Sequence, residues 1–324
     1  MKVAVIGGTK FVGPAAVGRL VATGHEVAVA HSGSHEHPAV AAVEHLHGDR
    51  DALLSDGGAV EGWCPEVLVD TFPGGASAAK GAQLAACAAR TGARVVAISS
   101  VDVYQHGVDS GMGDGSGALE MTVDPIPLRE DARRRVDPYP GAATGHDNVA
   151  MEDALERAGC PATLLRPGAI YGPHPTAREW TLVRRISLGE RDLPLPDGGV
   201  QLFHRVAIER LSRAIAAAAE RPTDKLWACN VVDPYDRDYS GLARRIGEIL
   251  DWEWETRRVP FSEDVHPWQV SHPMLASDRR LRDDLGVGPD QPDPDDALLE
   301  TVEWLWEYRE AILAAEASIA DDLT

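Results

Sequence analysis

The chain has 324 residues, 44% apolar and 25% charged, enough for one large α/β domain with a smaller appended lobe. With 31 basic against 51 acidic residues, the formal net charge is −20. That charge argues against a nucleic-acid partner, whose affinity rests on clustered Lys and Arg, and against an anionic membrane surface. The chain opens directly in an apolar strand, "MKVAVIGG", with no leader-type segment and no apolar stretch of spanning length, so a cytoplasmic protein is expected. Cys64, Cys87, Cys160 and Cys229 are widely spaced, without a CxxC, and read as buried thiols of a reducing compartment.

The first half alternates strand and helix patterns. "KVAVIG" (2–7) is a continuous apolar run, as for a strand buried on both faces. "PAAVGRLVATG" (14–24) has helical spacing and closes on Gly24. Further strands are expected over 25–31, 43–49, 66–72 and 94–100, with a helix over 76–92. A helix around 145–158 then leads into "ATLLRPGAIYG" (162–172). This alternation implies an α/β fold, a Rossmann-type doubly wound parallel sheet. After 173 the rhythm changes: helix 209–222 and strand 225–232 return, followed by amphipathic helices over 239–250 and 297–317. The stripe Leu298, Val302, Leu305, Trp306 reads as core packing. A dinucleotide-binding domain over 1–172 plus 200–235 and a smaller substrate lobe over 173–199 plus 236–324 are the expected division. The Gly/Asp/Pro-rich segment 109–138 is a long loop of the kind that forms lids.

"VIGGTKFVG" joins the first strand to the first helix, the context a dinucleotide fingerprint requires. Gly7, Gly8 and Gly13 let the backbone approach a pyrophosphate at the helix N-terminus, and Thr9, Lys10, Phe11 and Val12 complete the loop. Lys10 stands where the usual pattern has a further glycine. At the end of the second strand, "AHSGSHEH" carries neither the acid that takes NAD ribose hydroxyls nor an Arg for the NADP phosphate. His31 and Ser32 are the candidate ribose partners; the missing Arg favours NAD and leaves NADP open. Asp49 is placed where its carboxylate can accept from the adenine amino group, equally reading as a helix N-cap, and Arg50 beside it is a further cofactor-binding candidate. Twelve histidines invite a metal, but no HxxxH or His/Asp cluster at ligand spacing is visible, so none is expected.

Taken in order, "GGTKFVG", "GHEVAVAHSG", "HLHGDRDAL", "VVAISSVDVY", "LLRPGAIYGP", "NVVDP" and "SDRRLRDDLG" resemble the extended short-chain dehydrogenase/reductase superfamily, most closely its atypical NAD-dependent epimerase/dehydratase branch. The resemblance implies a dinucleotide across the sheet's C-terminal edge, under a lobe that closes on a small sugar, nucleoside or polyol. By analogy it also implies a homodimer. It makes Ser100 the residue that positions a substrate hydroxyl, sets Pro167 and Gly168 against the nicotinamide, and turns His204 and Arg205 toward substrate. The family's proton carrier is a Tyr four residues before a Lys on one helix face. Those positions here carry Thr144 and Asn148, and neither can do that task. The work therefore falls to Asp102, which matches an acid of sugar-nucleotide dehydratases, to His146, or to Tyr104 or Tyr139. The expected activity is transient oxidation followed by water elimination, the preferred outcome, or epimerisation. A reductase using a substitute acid and a non-catalytic dinucleotide sensor are the alternatives.

Overall fold

The computed structural model describes residues 1–72, 75–106, 124–138, 144–234, 237–261, 270, 272–289 and 292–322. Seven parallel strands form its central sheet: β1 (Lys2–Ile6), β2 (Glu26–His31), β3 (Glu44–His47), β4 (Val67–Asp70), β5 (Arg94–Ile98), β6 (Ala162–Pro167) and β10 (Trp227–Val231). Their spatial order is β10-β6-β5-β4-β1-β2-β3. The order reverses direction at β1, and ligands of open α/β sheets bind outside the strand ends at such a switch point.

Both faces of the sheet are covered, which explains why its strands read as unbroken apolar runs rather than alternations. Val3 and Val5 of β1 share a core with Val17 and Leu20 of α1 (Val12–Ala22) and Leu211 and Ile215 of α7 (Ile208–Glu220). Ala4 and Ile6, of opposite parity, pack with Leu84 of α4 (Ala78–Thr91) and Met151 and Leu155 of α5 (Asn148–Arg157). Two short helices, α2 (Arg50–Leu54) and α3 (Ala59–Trp63), lie between β3 and β4.

Two further parallel pairs lie outside this sheet. β7 (Ala169–Tyr171) pairs with β9 (Arg205–Ala207), and β8 (Asp192–Pro196) with β11 (Glu255–Val259). A third core joins α6 (Trp180–Ser187), α8 (Tyr239–Ile249) and α10 (Pro294–Glu307) to Val101, Val103 and Tyr104 beyond β5. Leu298, Val302 and Leu305 are fully buried in it and Trp306 packs at its margin.

Several expectations change. The final helix is two, α10 and α11 (Arg309–Asp322), parted at Tyr308, which caps the first. A short helix α9 (Arg279–Asp283) and strands β8 and β11 go unread in the sequence, as does α6, whose apolar face (Trp180, Leu182, Val183, Ile186) is well formed but only about two turns long. Cys87, Cys160 and Cys229 are buried, but Cys64 is exposed, in a left-handed conformation that ends α3. Among the described residues no helix is long and apolar enough to cross a membrane.

Candidate active site

The glycine loop closes on itself. Gly7 has φ 87°, which favours glycine, and its N–H donates to Ala30 O at the end of β2. A Cβ on Gly13 would stand 2.5 Å from the Gly8 carbonyl carbon, and one on Gly8 would stand 2.8 Å from Val29. Glycine at both positions is therefore a packing requirement. We expect Gly13→Ala to destabilise the fold by about 1–3 kcal/mol through overpacking, measured as a lower urea midpoint. Thr9 is buried and Lys10 exposed. Phe11 precedes α1 with φ 48° and supplies no side-chain cap, and no acid occupies the first turn. By contrast Ser77, Asp147, Asp238 and Asp293 cap α4, α5, α8 and α10. The start of α1, facing the switch point, is thus left without a competing side-chain acceptor.

Asp49 caps α2, its carboxylate accepting from Ala52 N–H at 2.9 Å, while remaining exposed. Arg50 turns from the expected cofactor locus to the end of β4, where its guanidinium grips the fully buried Asp70 carboxylate in a two-pronged pair, 3.0 Å on the NH1 side. Asp70 also accepts from Phe72 N–H at 2.8 Å. Arg50 is thereby committed to fixing the loop between β4 and α4.

That loop reaches the segment in which the proton carrier was sought. Gly75, at φ 87°, lies so close to His146 that a Cβ would stand 2.8 Å from its Nδ1. Ala76 N–H donates to the same Nδ1 at 3.2 Å, and Asp147 N–H donates to Ala76 O at 2.8 Å. Asp147 then caps α5, accepting from Val149 and Ala150 N–H. The helix therefore begins at Asn148, and Thr144 sits exposed in the turn ahead of it, beside Gly145 at φ 78°. This corrects the expectation that Thr144 and Asn148 share a helix face: an N-cap lies between them. Tyr139 lies outside the described residues.

Beyond β5, Ser100 caps a 3-10 turn over Val101–Val103, its Oγ accepting from Asp102 N–H at 3.1 Å. Asp102 is nearly buried and meets α5 there. Asn148 Nδ2 donates to both its carboxylate oxygens, at 3.0 and 2.9 Å. His146 Nε2 lies 3.6 Å from Asp102 Oδ2 and 3.2 Å from Asn148 Nδ2. With Nδ1 accepting from Ala76, the proton of the neutral ring lies on Nε2, toward Asp102. Behind them the buried Arg135 donates from Nε to Asp102 O at 2.8 Å and pairs with Asp147 at 2.9 Å. The fold thus brings Ser100, Asp102, His146 and Asn148 together and leaves Thr144 out.

Tyr104 faces the interior instead. Its hydroxyl donates to Asn230 Oδ1 and accepts from Arg166 NH1 at 3.1 Å. Burial pushes its pKa up to about 12, Arg166 opposing only in part. It is a packing residue and unsuited to proton transfer, a correction to its candidacy. Tyr104→Phe should cost about 1–3 kcal/mol, because Asn230 and Arg166 lose a buried partner, with turnover unchanged. Urea unfolding and steady-state rates check the two halves. Next to Tyr104 the buried Glu152 accepts from Arg166, at 2.9 Å from Nε and 2.7 Å from NH2, and from Ser99 Oγ at 2.7 Å. This pair went unread because its members are an ordinary helical Glu and a strand Arg.

Other expected site residues are also engaged. Arg205 is buried and donates to Glu179 Oε1 at 3.0 Å. His204 Nδ1 accepts from Ala276 N–H at 2.8 Å. Arg205 thus belongs to an internal ion pair rather than a substrate face. Pro167 ends β6, and Gly168 packs so tightly that a Cβ would meet His204 O at 2.4 Å. His31 ends β2 in a group with Glu36, His45 and His47 whose ligand atoms all lie within 4.8 Å of one another. This corrects the expectation of no metal-type cluster. Ser32 is exposed beside it, its Oγ 2.7 Å from that of Ser34.

No family model and no curated relative matches the chain. Solved structures do. One is a UDP-glucose 4-epimerase from Thermotoga maritima with UDP-glucose (TM-score 0.71, 17% identity, 95% of this chain and 99% of that one). The chain has the fold of that epimerase. A Thermus thermophilus UDP-glucose 4-epimerase complexed with NAD matches at TM-score 0.68 and 20% identity over 94% of this chain and 98% of its own. A UDP-N-acetylglucosamine 4-epimerase from Methanobrevibacter ruminantium, with UDP-N-acetylmuramic acid, matches at 0.69 and 18% over 94% and 98%.

Proposed function

We propose that the chain is an NAD-dependent enzyme of the epimerase/dehydratase type, acting on a nucleotide sugar or related polyol. Its residues fit a dinucleotide: the glycine loop stands at the switch point, and α1 begins without a side-chain cap. NAD is favoured over NADP, since the turn after β2 offers no Arg or Lys and instead sets the Glu36 carboxylate near His31. Lys10, Thr9 and the first turn of α1 would hold the pyrophosphate, and Ser32 with the strand-end backbone the ribose. Residues 173–199 plus 236–324 would form the lobe that closes on the sugar. UDP-sugars and NAD in the neighbouring structures support this reading.

When bound, NAD supplies a reversible two-electron sink that turns a ring hydroxyl into a ketone and acidifies the neighbouring C–H. Ser100 orients that hydroxyl. Asp102 would take the hydroxyl proton as the hydride leaves, and Asn148 and His146 act as positioning residues that hold its carboxylate in one orientation. The observation that carries the assignment is the meeting of Asp102 with Asn148, whose amide donates to both carboxylate oxygens, and with the His146 ring, its Nε2 3.6 Å from the same carboxylate. A panel of UDP-sugars incubated with the NAD-loaded protein in D2O tests it by NMR. A dehydrated product with solvent deuterium on the carbon next to the transient ketone indicates elimination. An epimer, labelled when inversion is at that neighbouring carbon and unlabelled when hydride returns to the other face of the ketone, indicates epimerisation. Tight NAD binding without turnover of any sugar would support the sensor reading instead.

A further inference from the structure

We propose that His31, Glu36, His45 and His47 form a site for one divalent transition-metal ion of the zinc class. The backbone assembles three of the four ligands. His45 and His47 are two apart on β3, so they share one face of the strand, and the β2–β3 register sets His31 directly opposite His47. Gly33, at φ 77°, turns the chain back against His47, and Glu36 returns from this loop.

The atoms that converge are His31 Nε2, His45 Nδ1, His47 Nε2 and the Glu36 carboxylate. His31 Nε2 and His45 Nδ1 are 2.8 Å apart. Glu36 oxygens lie 3.2 Å from His45 Nδ1, 3.1 Å from His47 Nε2 and 3.7 Å from His31 Nε2. Zn–N and Zn–O bonds of about 2.0–2.2 Å place neighbouring tetrahedral ligands roughly 3.3–3.5 Å apart, so the 2.8 Å His31–His45 pair must open slightly and ligand atoms up to 4.8 Å apart must draw in by about an ångström to seat the ion. His45 is already orientated for this. Its Nε2–H donates to the carbonyl of the buried Val40 at 3.0 Å, which leaves the Nδ1 lone pair facing the cluster. His31 must move its proton to Nδ1 and open the long 3.3 Å contact from Gly33 N–H, in a turn that is exposed.

Three imidazoles and one carboxylate select a borderline first-row ion over Mg2+ or Ca2+, which need oxygen ligands. Such an ion would tie the turn after β2 to the edge strand β3. Its ligands make no described contact with Asp102, His146 or Asn148, but the site adjoins Ser32, where the proposed reading seats the ribose of the dinucleotide.

The test uses the full chain, freed of metal by a chelator and titrated with Co2+, then with Zn2+ in competition. One equivalent of Co2+ should give visible ligand-field bands of a four-coordinate centre, and Zn2+ should remove them. His47→Ala and Glu36→Gln, both on exposed side chains, should each weaken Zn2+ binding at least about tenfold. A triple H31A/H45A/H47A variant should abolish it, while H35A/H37A should not change it. Saturating Zn2+ should raise Tm by about 4 °C or more in the native chain and leave the triple variant unmoved. Zn2+ binding no tighter to the native chain than to the triple variant would overturn the proposal, as would loss of binding in H35A/H37A alone. A separate NAD titration in chelator reports on the dinucleotide reading, so failure of either is seen apart from the other.

Discussion

Asp102→Asn should lower kcat by about 10²–10⁴-fold, the usual contribution of a positioned acid–base group, while NAD affinity stays within about twofold. The replacement keeps shape and the Arg135 Nε contact to the Asp102 backbone carbonyl, and loses the 3.9 Å ion pair of Arg135 with the carboxylate, Arg135 staying paired with Asp147. It removes the carboxylate that Asn148 holds from two directions. Asn148→Ala should have a smaller effect, because it frees the carboxylate to turn without deleting it. His146→Gln keeps an acceptor for Ala76 N–H and removes the imidazole proton facing Asp102. Its expected signature is an altered pH–rate profile more than a lost rate. Steady-state kinetics and NAD titration on the three variants separate these roles. A D102N protein with native kcat would remove Asp102 from the mechanism.

The second large effect lies beneath the site. Glu152→Gln should destabilise the fold by about 3–5 kcal/mol, because it leaves Arg166 charged and buried without its partner. That is a large part of a typical domain's stability, and urea unfolding will read it. The pair also sets a pH dependence. Burial alone would raise the Glu152 pKa, but Arg166, Ser99 and Arg134 outweigh it and hold the carboxyl below its free value near 4.5. A group whose pKa is depressed on folding contributes stability that is full above the unfolded value and is lost as pH falls through the lower folded one. The native chain should therefore lose stability in acid below about pH 4.5 through this group, and E152Q should lose less over the same range.

Most of the sheet was legible because a strand buried on both faces writes itself as an apolar run, as in "KVAVIG". The glycine loop was legible because glycine there answers a local demand, seen at Gly7 and Gly13. What escaped depends on contacts between distant segments. Thr144 and Asn148 stood four apart and suggested one helix face; the start of α5 was decided by Asp147, whose carboxylate caps two N–H groups. Arg50 follows Asp49 in the sequence and so stands near a ligand locus, but the Asp70 carboxylate that holds it lies twenty positions on. Arg205 was drawn toward an imagined substrate and is held by Glu179. The histidine group was half visible: "HLH" has the spacing of two residues on one strand face, but His31 joins only once the β2–β3 register is known. Glu36 joins only once the turn at Gly33 is known.

The position of β10 at the end of the sheet has a consequence for biosynthesis. β6 is fully buried in the finished molecule, and its outer hydrogen-bonding edge is closed by β10. In the chain, β7, α6, β8, β9 and α7 all come between them. During synthesis β6 can dock on β5 well before its second neighbour leaves the ribosome, exposing a bare apolar margin of the kind that invites strand addition from another chain. Nascent chains halted before Trp227 should be captured by chaperones more than chains halted just after Val231, which close the β6 edge but still lack the α8 and α10 half of the third core.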